Sequence, residues 1–398
     1  MIALALSALL AQTTWPPKVT AEALGEGPAP KVIATGATGA FDVTADGKHL
    51  VFIDGEGVKR FTFATGDLKT LGPGSGWLHL SRDSRYVMVP GAPLTRYSVA
   101  GKEGAVTLAK GVQLNALTGL TIGPKHFAFI DADGALTVTA LDEGTSVKLP
   151  IPMPNTRRCH VGPGFPRSFS DDGKWLLFQH GCADHGVIRV DGTGLRLTGL
   201  ISAKLVGDLL VGTRAEGGVF EVSALDGSNP QKLEGSVFHG FMTPFPQRGA
   251  MWVANADRLE LVDFKEKKTR TLLTTAPGGS VIPFLDVSAD GKSVFAATQL
   301  TEGCEVFRID VASGQKQRLA ALEGPRQCFV KSAGPTKAGL YAWTEGNAAL
   351  YSLDVTSGRV ERLGTPLIGV GNFMAGQSAL VVHSGGQVRV ADLAGKKK

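Results

Sequence analysis

Three stretches of this chain repeat one pattern: FDVTADGKHLVF (41–52), SFSDDGKWLLF (168–178) and LDVSADGKSVFAA (285–297). Each has alternating apolar residues, then Asp-Gly-Lys, then a second apolar run. A weaker copy is LHLSRDSRYVMV (78–89). Asp-Gly supplies the positive φ of a tight turn, and the period of two on either side marks strands with a buried face. Asp46-Gly47, Asp172-Gly173 and Asp290-Gly291 are therefore read as hairpin turns. Each aspartate is expected to accept backbone N–H bonds from two residues on.

A second hairpin follows the first. GVKRFTF (57–63) leads through Ala-Thr-Gly to DLKTL (67–71). CEVFRIDV (304–311) and ALYSLDV (349–355) continue in the same way through Ser-Gly turns. A unit thus holds four short strands. The motif aspartates at 46, 83, 172 and 290 are spaced by 37, 89 and 118 residues, near one, two and three multiples of about forty. Degenerate units fill the gaps at 126–141, 207–225, 249–264, 339–355 and 378–393. Nine units are counted, with seven or eight left open where a degenerate unit reads as a long loop. The last unit ends after its third strand, and PKVIATG (30–36) is available to supply the fourth. The expectation is an all-β chain, a single β-propeller of four-stranded blades closed by an N-terminal strand.

These repeats resemble the TolB-like, WD-type β-propeller family. Ser/Thr-x-Asp-Gly-Lys before an apolar strand carries the resemblance, at Thr44 to Lys48, Ser170 to Lys174 and Ser288 to Lys292. It extends over most of the chain after residue 30 and is sharp in three units. The family's proline after the serine is replaced by Ala45, Asp171 and Ala289. The resemblance implies a blade and not an activity: the family includes periplasmic scaffolds that bind envelope proteins and propellers attached to peptidases.

Composition fits an ordered chain of many turns: 43% hydrophobic and 19% charged residues, with 52 Gly and 21 Pro in 398 residues. The net charge of +5 includes the terminal Lys396-Lys397-Lys398, and no basic stripe interleaved with aromatics points to nucleic acid. Residues 1–11, MIALALSALLA, are too short to span a membrane and fit the apolar region of a secretory signal peptide. That segment lacks Lys and Arg, and cleavage after Ala11 places Leu9 at −3. The expected layout is a signal peptide at 1–11, a linker at 12–29, the propeller at 30–395 and a basic tail at 396–398.

Four cysteines allow three disulfide connectivities. Cys159 and Cys182 lie 23 residues apart and Cys304 and Cys328 lie 24 apart, so the two local pairs are the economical choice. Both bridges are expected in loops on one rim. No C-x-x-C supports a zinc ribbon or a thioredoxin-type motif. Gly-Lys-Ser at 291–293 lacks the preceding glycine and following helix of a phosphate loop, and no nucleophile elbow or H-E-x-x-H occurs. Asp131-Ala132-Asp133-Gly134 begins like a calcium loop, but a hairpin turn accounts for it.

One cluster has the composition of a metal site. His180, Asp184 and His185 are expected in a loop after WLLFQ, and His160 in a loop reaching the same face. Convergence would suit zinc or another transition ion. The competing reading is a disulfide-pinned loop with solvated histidines. Phe238, Phe241, Phe245, Trp343 and Phe373 are expected to pack between blades, and His239 to stand alone in a loop.

The function expected is noncatalytic: an exported, monomeric propeller, periplasmic or secreted, that binds an envelope protein or glycan, with no cofactor and a divalent metal as the option. The alternative is a metal-assisted hydrolase or lactonase-like propeller. That enzyme would need inward carboxylates or histidines from several blades. A third reading is a cytoplasmic interaction propeller.

Overall fold

In a computed structural model, residues 19–20 and 29–393 are described, apart from 39, 92, 110–118, 153–163, 182–183, 215–216, 234–240, 246–248, 283–284, 289, 326, 335, 345–346, 358, 365–366, 369–371 and 377–378. Among the described residues the strands form nine sheets, and no helix occurs. Blades 1 to 9 occupy 41–72, 79–109, 121–148, 165–197, 202–233, 241–274, 280–323, 327–362 and 372–392. Each follows an antiparallel order of first to fourth strand. First strands approach one another between blades 3 and 4, 4 and 5, 5 and 6, 7 and 8, and 8 and 9, and those of blades 9 and 1 also meet, so the first strands line the centre of a closed ring.

Nine units are therefore nine blades. Blade 9 has three strands of its own, and Lys31–Thr35 pairs antiparallel with Gln387–Asp392 to complete it. The register Lys31↔Val390 to Thr35↔Gln387 turns an open edge into a hydrogen-bonded seam. The expected linker at 12–29 is not featureless. Val19–Thr20 pairs in parallel with the end of blade 7's fourth strand.

The core lies between blades. His49–Asp54 buries its four central residues, and Trp175–His180 buries Leu176, Leu177 and Phe178. Both faces of each sheet are covered by neighbours, so second strands read as continuous apolar runs instead of alternating ones. Leu50, Phe52 and Phe61 of blade 1 pack on Val381 and Val388 of blade 9, and Trp252 of blade 6 on Val294 and Ile309 of blade 7. Each fully buried large apolar side chain contributes about 1.5–3 kcal/mol. The approach is close enough to require Gly339: a β-carbon there would sit 2.1 Å from a methyl of Leu380 in blade 9.

Phe245 packs in the blade 6–7 core with its ring 5.4 Å from Trp252, and Trp343 borders the blade 8–9 core. Phe238 and His239 lie outside the described residues, as do the side chains of Phe241 and Phe373.

Cys304 and Cys328 form a disulfide with a Cα–Cα distance of 6.2 Å. Its placement corrects the expected rim loops. Cys304 lies in the third strand of blade 7 and Cys328 in the first strand of blade 8, with 1% and 0% exposure. The bond is a buried rivet between two blades. Cys159 and Cys182 lie outside the described residues.

Candidate functional site

The turn joining first and second strands is built the same way in four blades. Thr44, Ser81, Ser170 and Ser288 each donate a hydroxyl to the aspartate two residues on, at 2.7 Å. Asp46, Asp83, Asp172 and Asp290 accept the N–H of the residue two further on, at 3.0–3.1 Å. The hydroxyl also accepts the N–H that opens the second strand, at 2.9–3.0 Å. Gly47, Gly173 and Gly291 take φ of 69°, 71° and 69°, which the turn demands. Blade 2 has Ser84 there, at φ 57°, and its hydroxyl accepts the Ala45 N–H of blade 1 at 2.8 Å. Asp131 is likewise a turn residue: it accepts the N–H groups of Asp133 and Ala135, and Lys148 pairs with both Asp131 and Asp133.

These turns frame a groove of about 480 Å³ between blades 1 and 2. Asp46 and His49 stand on one side and Asp83, Arg85, Tyr86, Lys102 and Glu103 on the other. The Tyr86 ring lies under two guanidinium groups, Arg96 at 4.3 Å and Arg85 at 5.1 Å. Its hydroxyl donates to Asp142 of blade 3 at 2.8 Å. Arg85 bonds Asp83 at 2.5 Å and reaches Asp142 at 3.4 Å, while Arg96 reaches Glu103 at 3.5 Å.

Electrostatics fix these groups in one protonation state. Burial pushes Asp46 up, but bonds from Thr44 and Lys48 outweigh it, and its carboxyl lies below the ordinary range. Asp83 is lowered in the same way, with burial overcome by bonds from Arg85 and Ser81. The bond to Asp142, helped by burial, raises the Tyr86 phenol. Burial, then the charge of Arg60, lowers His49. At neutral pH the carboxylates are charged, and the tyrosine and histidine neutral. The groove offers charged and hydrogen-bonding groups from two blades.

The His/Asp cluster divides. His180 and Asp184 end the second strand and begin the third, paired across the hairpin, where a loop was expected. His185 pairs with Gln179, one residue on, so its side chain takes the opposite face of the sheet. His180 faces blade 3, its Nε2 2.9 Å from the Pro152 carbonyl. His185 is buried toward blade 5, its Nδ1 2.9 Å from the Leu200 carbonyl. The convergence of His180 with His185 is thus corrected by a period-two register. His160 lies outside the described residues. Among the described residues no group of three or more His, Cys, Asp or Glu is placed to hold a metal ion.

One pattern was missed in the sequence. The residue two before each Ser/Thr of the turn is Asp42, His79, Ser168 and Asp286 in the four motif blades. Asp42, His79 and Asp286 pair with Val51, Met88 and Phe295, so each faces the next blade from the innermost strand. Asp286 bridges to blade 8, accepting the Ser332 N–H at 2.6 Å with Lys331 at 3.6 Å. Burial raises Asp42 and Asp286 and lowers His79. Aligning the repeats on their turn serines would have found this position.

No family profile and no curated protein matches this sequence. Solved structures do. The chain is similar to the C-terminal WD40 domain of Sif2, at 12% identity and TM-score 0.54, covering 93% of this chain and 100% of that one. It is similar to Porphyromonas gingivalis dipeptidyl peptidase 4, at 12% identity and TM-score 0.53, covering 90% of this chain and 58% of that one. Dihydro-heme d1 dehydrogenase NirN aligns at 15% identity and TM-score 0.48, covering 72% of this chain and 66% of that one. The chain spans less than two thirds of the last two proteins. At such identities the likeness is one of fold: a β-propeller, shared with WD40 domains.

Proposed function

We propose that this chain is a noncatalytic binding propeller of the cell envelope, and that the groove between blades 1 and 2 receives a protein or glycan partner. The observation that carries this reading is the geometry of the groove, an open cleft in which Asp46 and His49 of blade 1 face Asp83, Arg85, Lys102 and Glu103 of blade 2. Mixed charge along the groove suits a polar, extended partner held by hydrogen bonds and ion pairs. The apolar N-terminal run and the buried disulfide support export to an oxidising compartment. A photo-crosslinker at Lys102, read in cells by mass spectrometry, is expected to recover a partner that a crosslinker at Lys232 on the outer strand of blade 5 does not. Identical recoveries at both positions would remove the groove from the proposal.

The hydrolase reading draws on one observation, the shared inner position of Asp42, His79 and Asp286. Its test is hydrolysis of a lactone and ester panel by the purified chain. Activity abolished by Asp42→Asn at unchanged thermal stability would favour it, and an inactive wild type would end it.

A further inference from the structure

The outermost strand of a blade is an edge, and most outer strands here are short and polar. The fourth strands of blades 1, 3, 4, 5 and 8 are Leu68–Gly72, Ser146–Lys148, Arg196–Leu197, Gln231–Leu233 and Val360–Arg362, and none contains a buried residue. Blade 7 differs. Its fourth strand, Lys316–Glu323, spans eight residues, and Leu319, Ala320, Ala321 and Leu322 are 1–3% exposed. Val19 and Thr20 pair with this edge in parallel, at Leu322 and Glu323. Every other strand pair among the described residues is antiparallel.

The chain then returns to the ring near Gly364, where Ala29 and Pro30 lie close, and enters blade 9 at Lys31. The N-terminal segment therefore serves two blades unequally. Lys31–Thr35 completes blade 9 with a run of paired residues, while blade 7 is already whole without Val19–Thr20. A two-residue parallel bridge is weak beside an antiparallel strand. The receiving edge is rigid. Cys304, directly opposite Leu322, is tied to blade 8, and Arg318 bonds Glu305 across the strands at 2.6 Å. A cavity of about 220 Å³ opens beside this edge, with Glu302 and Glu323 in its lining. In the sequence, Lys18 immediately precedes Val19.

We propose that the outer edge of blade 7 is a strand-acceptor site for an extended basic peptide, held closed in cis by Val19–Thr20. A partner's segment would add in parallel, its backbone replacing the cis pairing and its Lys or Arg set against Glu302 and Glu323. Val19–Thr20 belongs to the same chain, so a partner enters only when it offers more strand or charge than the two-residue bridge. The site is separate from the groove between blades 1 and 2, and neither reading depends on the other.

The experiment uses the full chain and a fluorescein-labelled peptide of residues 13–24 carrying Glu22→Lys, which makes it basic. Val19→Pro with Thr20→Pro removes two backbone donors from the cis strand. The peptide is expected to bind this variant about tenfold or more tighter than wild type by anisotropy. Amide exchange at Leu322 to Gly324 should be faster in the variant and slowed again by the peptide. Equal binding to both proteins, or to neither, would overturn the proposal. A second measurement needs no variant. Excess peptide should accelerate tryptic cleavage of wild type after Lys18, and an unchanged cleavage rate counts against the site.

Discussion

Blades 4 and 7 begin with nearly the same words and end differently. Their turns are superimposable in chemistry: Ser170 to Asp172 and Ser288 to Asp290 both at 2.7 Å, with the glycines at φ 71° and 69°. Beyond the turn they diverge. Blade 4 has six-residue central strands and a two-residue outer strand carrying Leu197, which is 42% exposed. Blade 7 has three eight-residue strands, a disulfide to the next blade and a buried outer strand. A turn is decided by the few residues within it. The length and cover of a strand are decided by what arrives from elsewhere in the chain.

The largest test of that contrast is the rivet. Replacing Cys304 and Cys328 together by serine should lower stability by roughly 2–5 kcal/mol, because a closed loop of this length restricts the unfolded chain. Hydrogen exchange should rise first at the blade 7–8 seam, with the blade 4 hairpin following only on global unfolding. Exchange rising equally in both blades would show that the rivet supports the whole ring and not its seam.

The serine turns come next. Ser170→Ala removes a fully buried hydroxyl that bonds Asp172 and the Trp175 N–H, and should cost about 1–2 kcal/mol in urea denaturation. Ser288 makes the same bonds but is half-buried, so Ser288→Ala should cost less. The reverse order would mean that the blade 7 turn carries more of its blade than its geometry indicates.

Acid should weaken both turns. Asp172 and Asp290 are held below their ordinary carboxyl range. In Asp172 the bond from Ser170 and the other bonds and charges outweigh burial; in Asp290 the bond from Ser288 leads. Groups lowered in the folded state contribute stability above their unfolded pKa, near 4, and lose it as pH falls through the lower folded value. Asp286 runs the other way. Burial raises it, so its ionised form is a net cost that disappears on acidification. Melting curves from pH 7 to pH 2 should therefore fall less steeply for an Asp172→Asn, Asp290→Asn variant than for wild type. Parallel curves would exclude the turns as the acid-sensitive element.

Much of the fold was legible because the turn is a local code. Asp-Gly within period-two runs gave the hairpins, their spacing gave nine units, and the fourth-strand gap after Asp392 pointed to Lys31–Thr35. The site was less legible, for two physical reasons. His180 and His185 look like neighbours in a string, but the strand's alternation sends them to opposite faces, and only the register of the hairpin shows which residues continue the strand. The groove depends on Asp142 and Arg96, which reach Tyr86 from another blade and another strand, and no spacing in the sequence links them. Cys304 and Cys328 were paired correctly for their separation and placed wrongly, because strand ends in a long blade overrun the positions that are loops in a short one.

The smallest expected effect tests how strictly the turn code is local. Blade 2 puts Ser84 where three other blades have glycine, at φ 57°, a conformation that costs a non-glycine residue about 1 kcal/mol. Its hydroxyl bonds Ala45 in the neighbouring turn, a contribution of about the same size at a part-exposed site. Ser84→Gly relieves the first and removes the second, so stability should change by less than about 0.5 kcal/mol. Ser84→Ala keeps the strain and loses the bond, and should be destabilised by about 1 kcal/mol. A clear gain for glycine would mean that the bond between turns adds nothing and that blade 2 is simply a degenerate copy. Matching losses for glycine and alanine would mean that the bond across the blade 1–2 groove outweighs the strain, so that this turn is tuned to its neighbour.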